Sequence, residues 1–386
     1  MSGIDEHSHG GNLRALGLES GRDPGAILDF SANLNPLGPP SWLRAAVERG
    51  LAKVAAYPDP DAMSAREAAS RRFGLSPSRF LFADGADSII LALPRALGAT
   101  RVLAFVPGYS GYARAVSRSG AAFCPVRLDP DRDFALDAAA LSRALGEGPS
   151  PRDHAASALA EGGAAPGRDL VFLGSPNNPA GGCLSESALC DLAVTFPTAI
   201  FAVDESFAEL SGRPQGIVGR HPSNVLVIRS LTKTYAMPGL RAGFAEGGEG
   251  LLAALRREIP AWPLSSFAEE ACVEALTDRA WGEKGAAFVA DARARMVADI
   301  AAIPGLRVVP GPANFILVGF RAGSGARQLR GLLLREGIAI RIFSPGEGLD
   351  DGWFRLAVRR PEENGRLVDA LRDMMSGPLR CGGATR

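Results

Sequence analysis

Four short runs of apolar, β-favouring residues stand out along the first 250 positions: RVLAFV at 101–106, DLVFLG at 169–174, AIFAVD at 199–204 and NVLVIR at 224–229. The stretches between them carry helical patterns. That alternation predicts a parallel α/β sheet, because strands buried on both faces read as continuous Val/Ile/Leu/Phe runs. Ligands of such sheets gather beyond the carboxyl ends of the strands, so the residues just after each run are the first candidates for chemistry.

After about residue 250 the pattern changes. LLAALRREI is followed by a long helical stretch over 266–302, then FILVGF, a helix around ARQLRGLLLREG, and the runs IAIRIF and WFRLAV. This order predicts a separate α+β unit with a smaller sheet. The expected organisation is a large domain over 35–250, a small domain made of 1–34 together with 251–376, and a tail over 377–386. The segment at 147–167, rich in Ala, Gly and Pro, is expected to be a surface insertion.

Composition narrows the function. A chain of 386 residues exceeds one ordinary core, and 46% hydrophobic with 22% charged residues suits a globular protein. The formal net charge is zero and no dense Lys/Arg block occurs, which disfavours a nucleic-acid surface and favours a small-molecule partner. The opening MSGIDEHSHGGN lacks a basic segment followed by an apolar run, and no later stretch is long and apolar enough to span a bilayer. A cytoplasmic location without membrane attachment is expected. The five cysteines, at 124, 183, 190, 272 and 381, form no CxxC pair, which argues against a disulfide framework or a metal site.

The strand ends carry the candidate chemistry. Ser230-Leu231-Thr232-Lys233 follows NVLVIR, with Arg241 shortly after. A lysine there can form an imine with an aldehyde cofactor, while Ser230, Thr232 and Arg241 can hold a phosphate; taken alone, most such lysines are simply solvated. Asp204 closes AIFAVD, where a carboxylate in an apolar setting needs a cationic partner such as a protonated pyridine nitrogen. Its plainer reading is a helix cap. Asn178, in the loop SPNNPAG after DLVFLG, can donate to a phenolic oxygen. Gly85-Ala86-Asp87 opens a helical run, so its backbone N–H groups form a phosphate site or an ordinary helix start. Tyr109, after RVLAFV, can stack on a ring or merely pack.

In this order, over nearly the whole chain, these motifs resemble the fold-type I aminotransferase family, which works with pyridoxal 5′-phosphate (PLP). The resemblance implies an α/β fold with a mostly parallel central sheet in the large domain and a smaller α+β domain. It implies Asn178 on the phenolic oxygen, Asp204 on the pyridine nitrogen, Lys233 as Schiff base and proton shuttle, and Arg241 on the phosphate. Arg355, in WFRLAVR, matches the arginine that receives the substrate α-carboxylate, a task suited to a planar guanidinium. Tyr57, in AAYPDPD, matches a tyrosine that reaches the cofactor phosphate of the other subunit, which implies a homodimer with shared sites.

Within the family, His9-Gly10-Gly11-Asn12, DFSANLNPLGPP at 29–40, Asp204-Glu205-Ser206-Phe207 and RSLTKTYAMPGLRAGF at 229–244 resemble the branch that decarboxylates a phosphorylated amino acid. The alternative is the neighbouring branch that transaminates a phosphorylated amine, which commonly has Tyr where Phe207 stands and lacks the HGGN opening. Arg341, with His9 and Asn12, is the expected anchor for the substrate phosphate, and Asn33 is placed with the substrate. Three features depart from the family pattern: Ala180 in place of Thr or Ser, the long 147–167 segment, and Ser206 where Ala is usual. A competing class is a non-catalytic aminotransferase-like sensor, which would carry a DNA-binding domain. A nicotinamide dehydrogenase is disfavoured because no GxGxxG follows an early strand.

Overall fold

The computed structural model describes residues 10–147 and 168–377. After the short strand β1 (Leu28–Asp29), the first part of the chain supplies β2 (Phe80–Ala83), β3 (Ala99–Val106), β4 (Ala122–Arg127), β5 (Arg168–Gly174), β6 (Ile200–Asp204), β7 (Val225–Ser230) and β8 (Gly243–Glu246). These seven form one sheet in the order β2-β8-β7-β6-β5-β3-β4. The pairs from β4 through to β7 are parallel. Only β8 runs against its neighbours, β7 and β2.

The four apolar runs are the middle of this sheet, and burial on both faces explains their lack of alternation. Val171, Phe201 and Val227 join the core on one face, while Phe172, Ala202 and Leu226 join the core on the other. Each of the Val, Leu and Phe side chains among them contributes roughly 1.5–3 kcal/mol relative to exposure, so both faces hold the strands in place.

The second part supplies β9 (Leu306–Val308), β10 (Phe315–Phe320), β11 (Ile338–Ala339), β12 (Arg341–Ile342) and β13 (Trp353–Ala357). Four of them make an antiparallel sheet, β12-β13-β10-β9. Ile316, Val318, Phe354 and Leu356 pack beneath Met296 and Ile300 of the helix Arg279–Ala301 and beneath Leu367 and Leu371 of the helix Pro361–Ser376. IAIRIF, a single run in the sequence, is split: β11 leaves this sheet to pair in parallel with β1, matching Leu28 with Ile338 and Asp29 with Ala339.

The long helical stretch over 266–302 is two helices, Ser266–Thr277 and Arg279–Ala301, broken at Asp278. The Asp278 carboxylate accepts from the Trp281 N–H and caps the second helix. Although they follow the main sheet in the chain, Glu249–Glu258 packs on the helix Ala86–Ala96, and Ser266–Thr277 packs on the helices Leu43–Ala52 and Met63–Phe73. The expected insertion, apart from Glu147, and the tail, apart from Gly377, lie outside the described residues. Among the described residues no helix is long and apolar enough to cross a membrane.

Candidate active site

Strand direction gathers the candidate residues. β2, β3, β5, β6 and β7 end at one edge of the sheet, and β8, running the other way, begins there. Gly85, Tyr109, Asn178, Asp204 and Lys233, which follow or close the ending strands, therefore face Arg241, which precedes β8. All of them line one cavity of about 310 Å³. Asn33, Arg341 and Arg355 come from the N-terminal segment and the small sheet and complete its wall.

Asp204 forms the inner wall. Its Oδ1 accepts from Ser206 N at 3.0 Å and from Ser206 Oγ at 2.5 Å, and its Oδ2 accepts from Tyr112 Oη at 3.0 Å. Burial raises its pKa, opposed by these donors and by the Lys233 charge. A carboxylate offers about four acceptor positions. Three are taken by protein donors, which leaves one for a donor in the cavity.

Across the cavity, burial, together with the charges of Arg241 and Arg355, pushes the Lys233 amine down to about 8, although Asp204 and Asp87 act the other way. The Ser230 and Thr232 hydroxyls lie 2.8 Å apart in front of it. Gly85 has a φ of +102°, and a Cβ there would sit 2.7 Å from Arg241 Nη2, so only glycine lets the guanidinium lie against the start of the helix Ala86–Ala96. The free N–H groups of that first turn and Arg241 together make an anion-binding corner. Asp87 is engaged by side chains: Tyr109 Oη donates to it at 2.9 Å and Arg114 Nη2 at 2.6 Å.

The outer wall holds two guanidinium groups. Arg355, almost fully buried, donates from Nη1 to Asn178 Oδ1 at 2.5 Å and from Nη2 to the Ser31 carbonyl at 2.7 Å. Its Nε is buried without a partner among the described residues, as is Asn33 Oδ1. Burial and the neighbouring Arg341 charge push the Arg355 pKa down to about 9, against the pull of Asp29 and Glu347. The guanidinium remains charged at neutral pH. Arg341 pairs with Glu347, donates to the Ile342 carbonyl, and lies 5.0 Å from the Phe343 ring.

Two expected residues lie elsewhere, and a third is not described. His9 falls outside the described residues. Asn12 spends its side chain capping the helix Leu13–Ser20, accepting from Ala15 N at 3.1 Å, and lines an adjoining cavity. Tyr57 is 80% exposed and stacks on Trp262 at 4.4 Å, outside the cavity of its own chain. The site also contains groups not singled out in the sequence: Tyr112, Arg114 and Glu347. A polar residue just after a strand end is visible in the sequence, whereas these three are recognised by what they touch: Tyr112 holds Asp204, Arg114 holds Asp87, and Glu347 holds Arg341.

A family model described as aminotransferase class I and II matches residues 26–371. The chain is 31% identical over 377 residues to the threonine-phosphate decarboxylase of Salmonella typhimurium, covering 96% of this chain and 97% of that protein. It is 33% identical over 374 residues to a histidinol-phosphate aminotransferase of Roseiflexus castenholzii, covering 94% and 93%. A third relative, the adenosylcobalamin biosynthesis bifunctional protein CobDQ of Leptospira interrogans, is 30% identical over 370 residues. There 96% of this chain spans only 41% of the relative. Among solved structures, the histidinol-phosphate aminotransferase of Clostridium acetobutylicum superposes with a TM-score of 0.80 at 26% identity, over 91% of this chain and all of that one. That of Sinorhizobium meliloti, solved with pyridoxal 5′-phosphate, gives 0.80 at 22% identity over 95% of each chain and so speaks for the fold. The chain belongs to the class I and II aminotransferase family, whose enzymes depend on pyridoxal 5′-phosphate.

Proposed function

We propose that this enzyme removes the α-carboxylate of L-threonine O-3-phosphate, yielding (R)-1-amino-2-propanol O-2-phosphate, in cobalamin biosynthesis. The observation that carries the reading is the pair of guanidinium groups, Arg341 and Arg355, on one wall of a cavity that also holds Lys233. A substrate carrying two anionic groups and an amine matches that pair of charges in kind. The 31% identity to a threonine-phosphate decarboxylase over nearly both chains, and the HGGN opening, support it.

The residues present fit the family's cofactor. The one acceptor position left on Asp204 suits a ring N–H, Asn178 retains an amide N–H₂ to donate, and Ser230, Thr232, Arg241 and the Gly85–Asp87 helix start suit a phosphate. Tyr109, half-buried on the same cavity, is the candidate to cover the ring face. When bound, PLP supplies an electron-withdrawing ring that accepts the electron pair of the broken bond.

The chain's own groups do the rest. Arg355, held by Asn178 and Ser31 on the cavity wall, meets the substrate carboxylate, and Arg341 meets the phosphate; two anchors fix the rotation about the α-carbon and so choose the bond that breaks. Loss of CO2 leaves that carbon in need of one proton. Lys233 Nζ, with its pKa brought down to about 8, is an acid able to deliver it near neutral pH. Asn33, on the same wall, is the further candidate to contact the substrate.

The second reading, transamination of histidinol phosphate, is favoured by the 33% identity to an aminotransferase of that name. Incubating the PLP-loaded enzyme with each substrate separates the two. Threonine phosphate is expected to release CO2, and Arg341→Ala to impair it far more than plain threonine, by roughly ten- to a hundredfold for one lost charge-assisted contact. Stoichiometric pyridoxamine phosphate from histidinol phosphate, with no CO2 from threonine phosphate, would overturn the assignment.

A further inference from the structure

We propose that Glu347 is a specificity-determining residue of this site: an internal carboxylate that occupies Arg341 and that an incoming anion must displace. Glu347 Oε1 pairs with Arg341 Nη2, while Oε2 accepts from Ser344 N at 2.9 Å and from Ser344 Oγ at 3.2 Å. The Ser344 contacts form a capping box over the turn Pro345–Glu347, so the carboxylate is held by its own turn whether or not Arg341 stays with it. The Arg341 and Glu347 side chains are 11% and 4% exposed, and both residues line the cavity.

Selectivity follows from the exchange. A ligand carboxylate arriving at Arg341 has the same charge and the same two-oxygen fork as Glu347, so the swap gains little and strands a buried carboxylate. A phosphate monoester brings more charge and three oxygens, so it can engage Arg341 strongly enough to offset that loss. Glu347 therefore filters for phosphorylated substrates and against those carrying a distal carboxylate. The inference rests on the reading that Arg341 meets the distal anion of the substrate. It holds whichever bond is then broken.

The test measures binding of inorganic phosphate and of acetate to the PLP-loaded enzyme by calorimetry. Glu347→Gln keeps an acceptor for Ser344, and it is expected to tighten acetate more than phosphate, shrinking the preference for phosphate about tenfold. In an Arg341→Ala background the same substitution is expected to change nothing. An unchanged preference in Glu347→Gln overturns the proposal, and so does a change that persists without Arg341. If the Gln variant does not fold, Glu347→Asp, which keeps the charge but shortens the reach, is expected to shift the preference in the same direction, and no shift overturns it. Should threonine phosphate release no CO2 while the preference shifts as expected, the decarboxylase reading falls and the role of Glu347 stands.

Discussion

Asp204 and Lys233 show how burial and a few donors set the chemistry of single groups. Three donors hold Asp204 in one orientation, and a low-dielectric wall strips Lys233 of much of its affinity for a proton. Because only the neutral amine attacks an aldehyde, the apo-enzyme should capture PLP at a rate that rises with pH around a midpoint of about 8, rather than near the ordinary 10.5. Borohydride trapping over a pH series, followed by peptide mapping, measures it; label on another lysine, or a midpoint near 10, would refute the assignment. At this scale the sequence is informative where a residue closes a strand run or follows it within a few positions, as Asp204, Asn178 and Lys233 do. It was silent on Tyr112 and Glu347, since a helix-face aromatic and a turn glutamate carry no signal until the chain has folded. Ser206 was visible only as a departure from the family pattern. Its hydroxyl contact with Asp204 needed the structure.

Elements meet their limits at the ends, and the segment after β6 is fastened there by a buried histidine. His221 places Nε2 2.7 Å from Glu246 Oε2 and Nδ1 2.9 Å from the Pro222 carbonyl. Both partners are acceptors, so only the protonated ring satisfies both contacts. Glu246, itself fully buried on β8, also takes Arg79 Nη2 at 2.5 Å and Gly219 N at 3.2 Å. Burial opposes protonation of His221, and Arg79 does too, but the contacts with Glu246 and Pro222 outweigh them and raise its pKa above 6.5. A raised pKa in the folded state contributes stability that is complete below the unfolded value and is lost as pH climbs through the folded one. The melting temperature should therefore decline on going up through and beyond neutrality, and His221→Gln should flatten that decline. An unaltered slope in the variant would remove His221 as its source. The strands themselves were legible as uninterrupted apolar runs because both faces are covered. The break at Asp278 was not, since apolar spacing continues across it and only the cap reveals the second start.

The molecule as a whole leaves several large apolar side chains uncovered. Leu51, Val54 and Tyr57 are 60%, 59% and 80% exposed, and Trp262, stacked on Tyr57, is 48% exposed. We infer that the exposed Tyr57–Trp262 pair meets a second copy, whose site Tyr57 then enters. Mixing Tyr57→Phe with Lys233→Ala subunits places both lesions in one site of a heterodimer and leaves the other site intact, so activity should return from two impaired parents. A mixture no more active than its parents would argue against sharing. The pairing of β1 with β11 has a consequence of another kind, felt while the protein is being made. Residues 28–29 leave the ribosome early, yet their partners at 338–339 follow some three hundred residues later. The main sheet, complete at Glu246, can form while the N-terminal segment still has nothing to dock on. That segment carries Asn33 and the Ser31 carbonyl that steadies Arg355, so this wall of the cavity is among the last parts of a newborn chain to be finished.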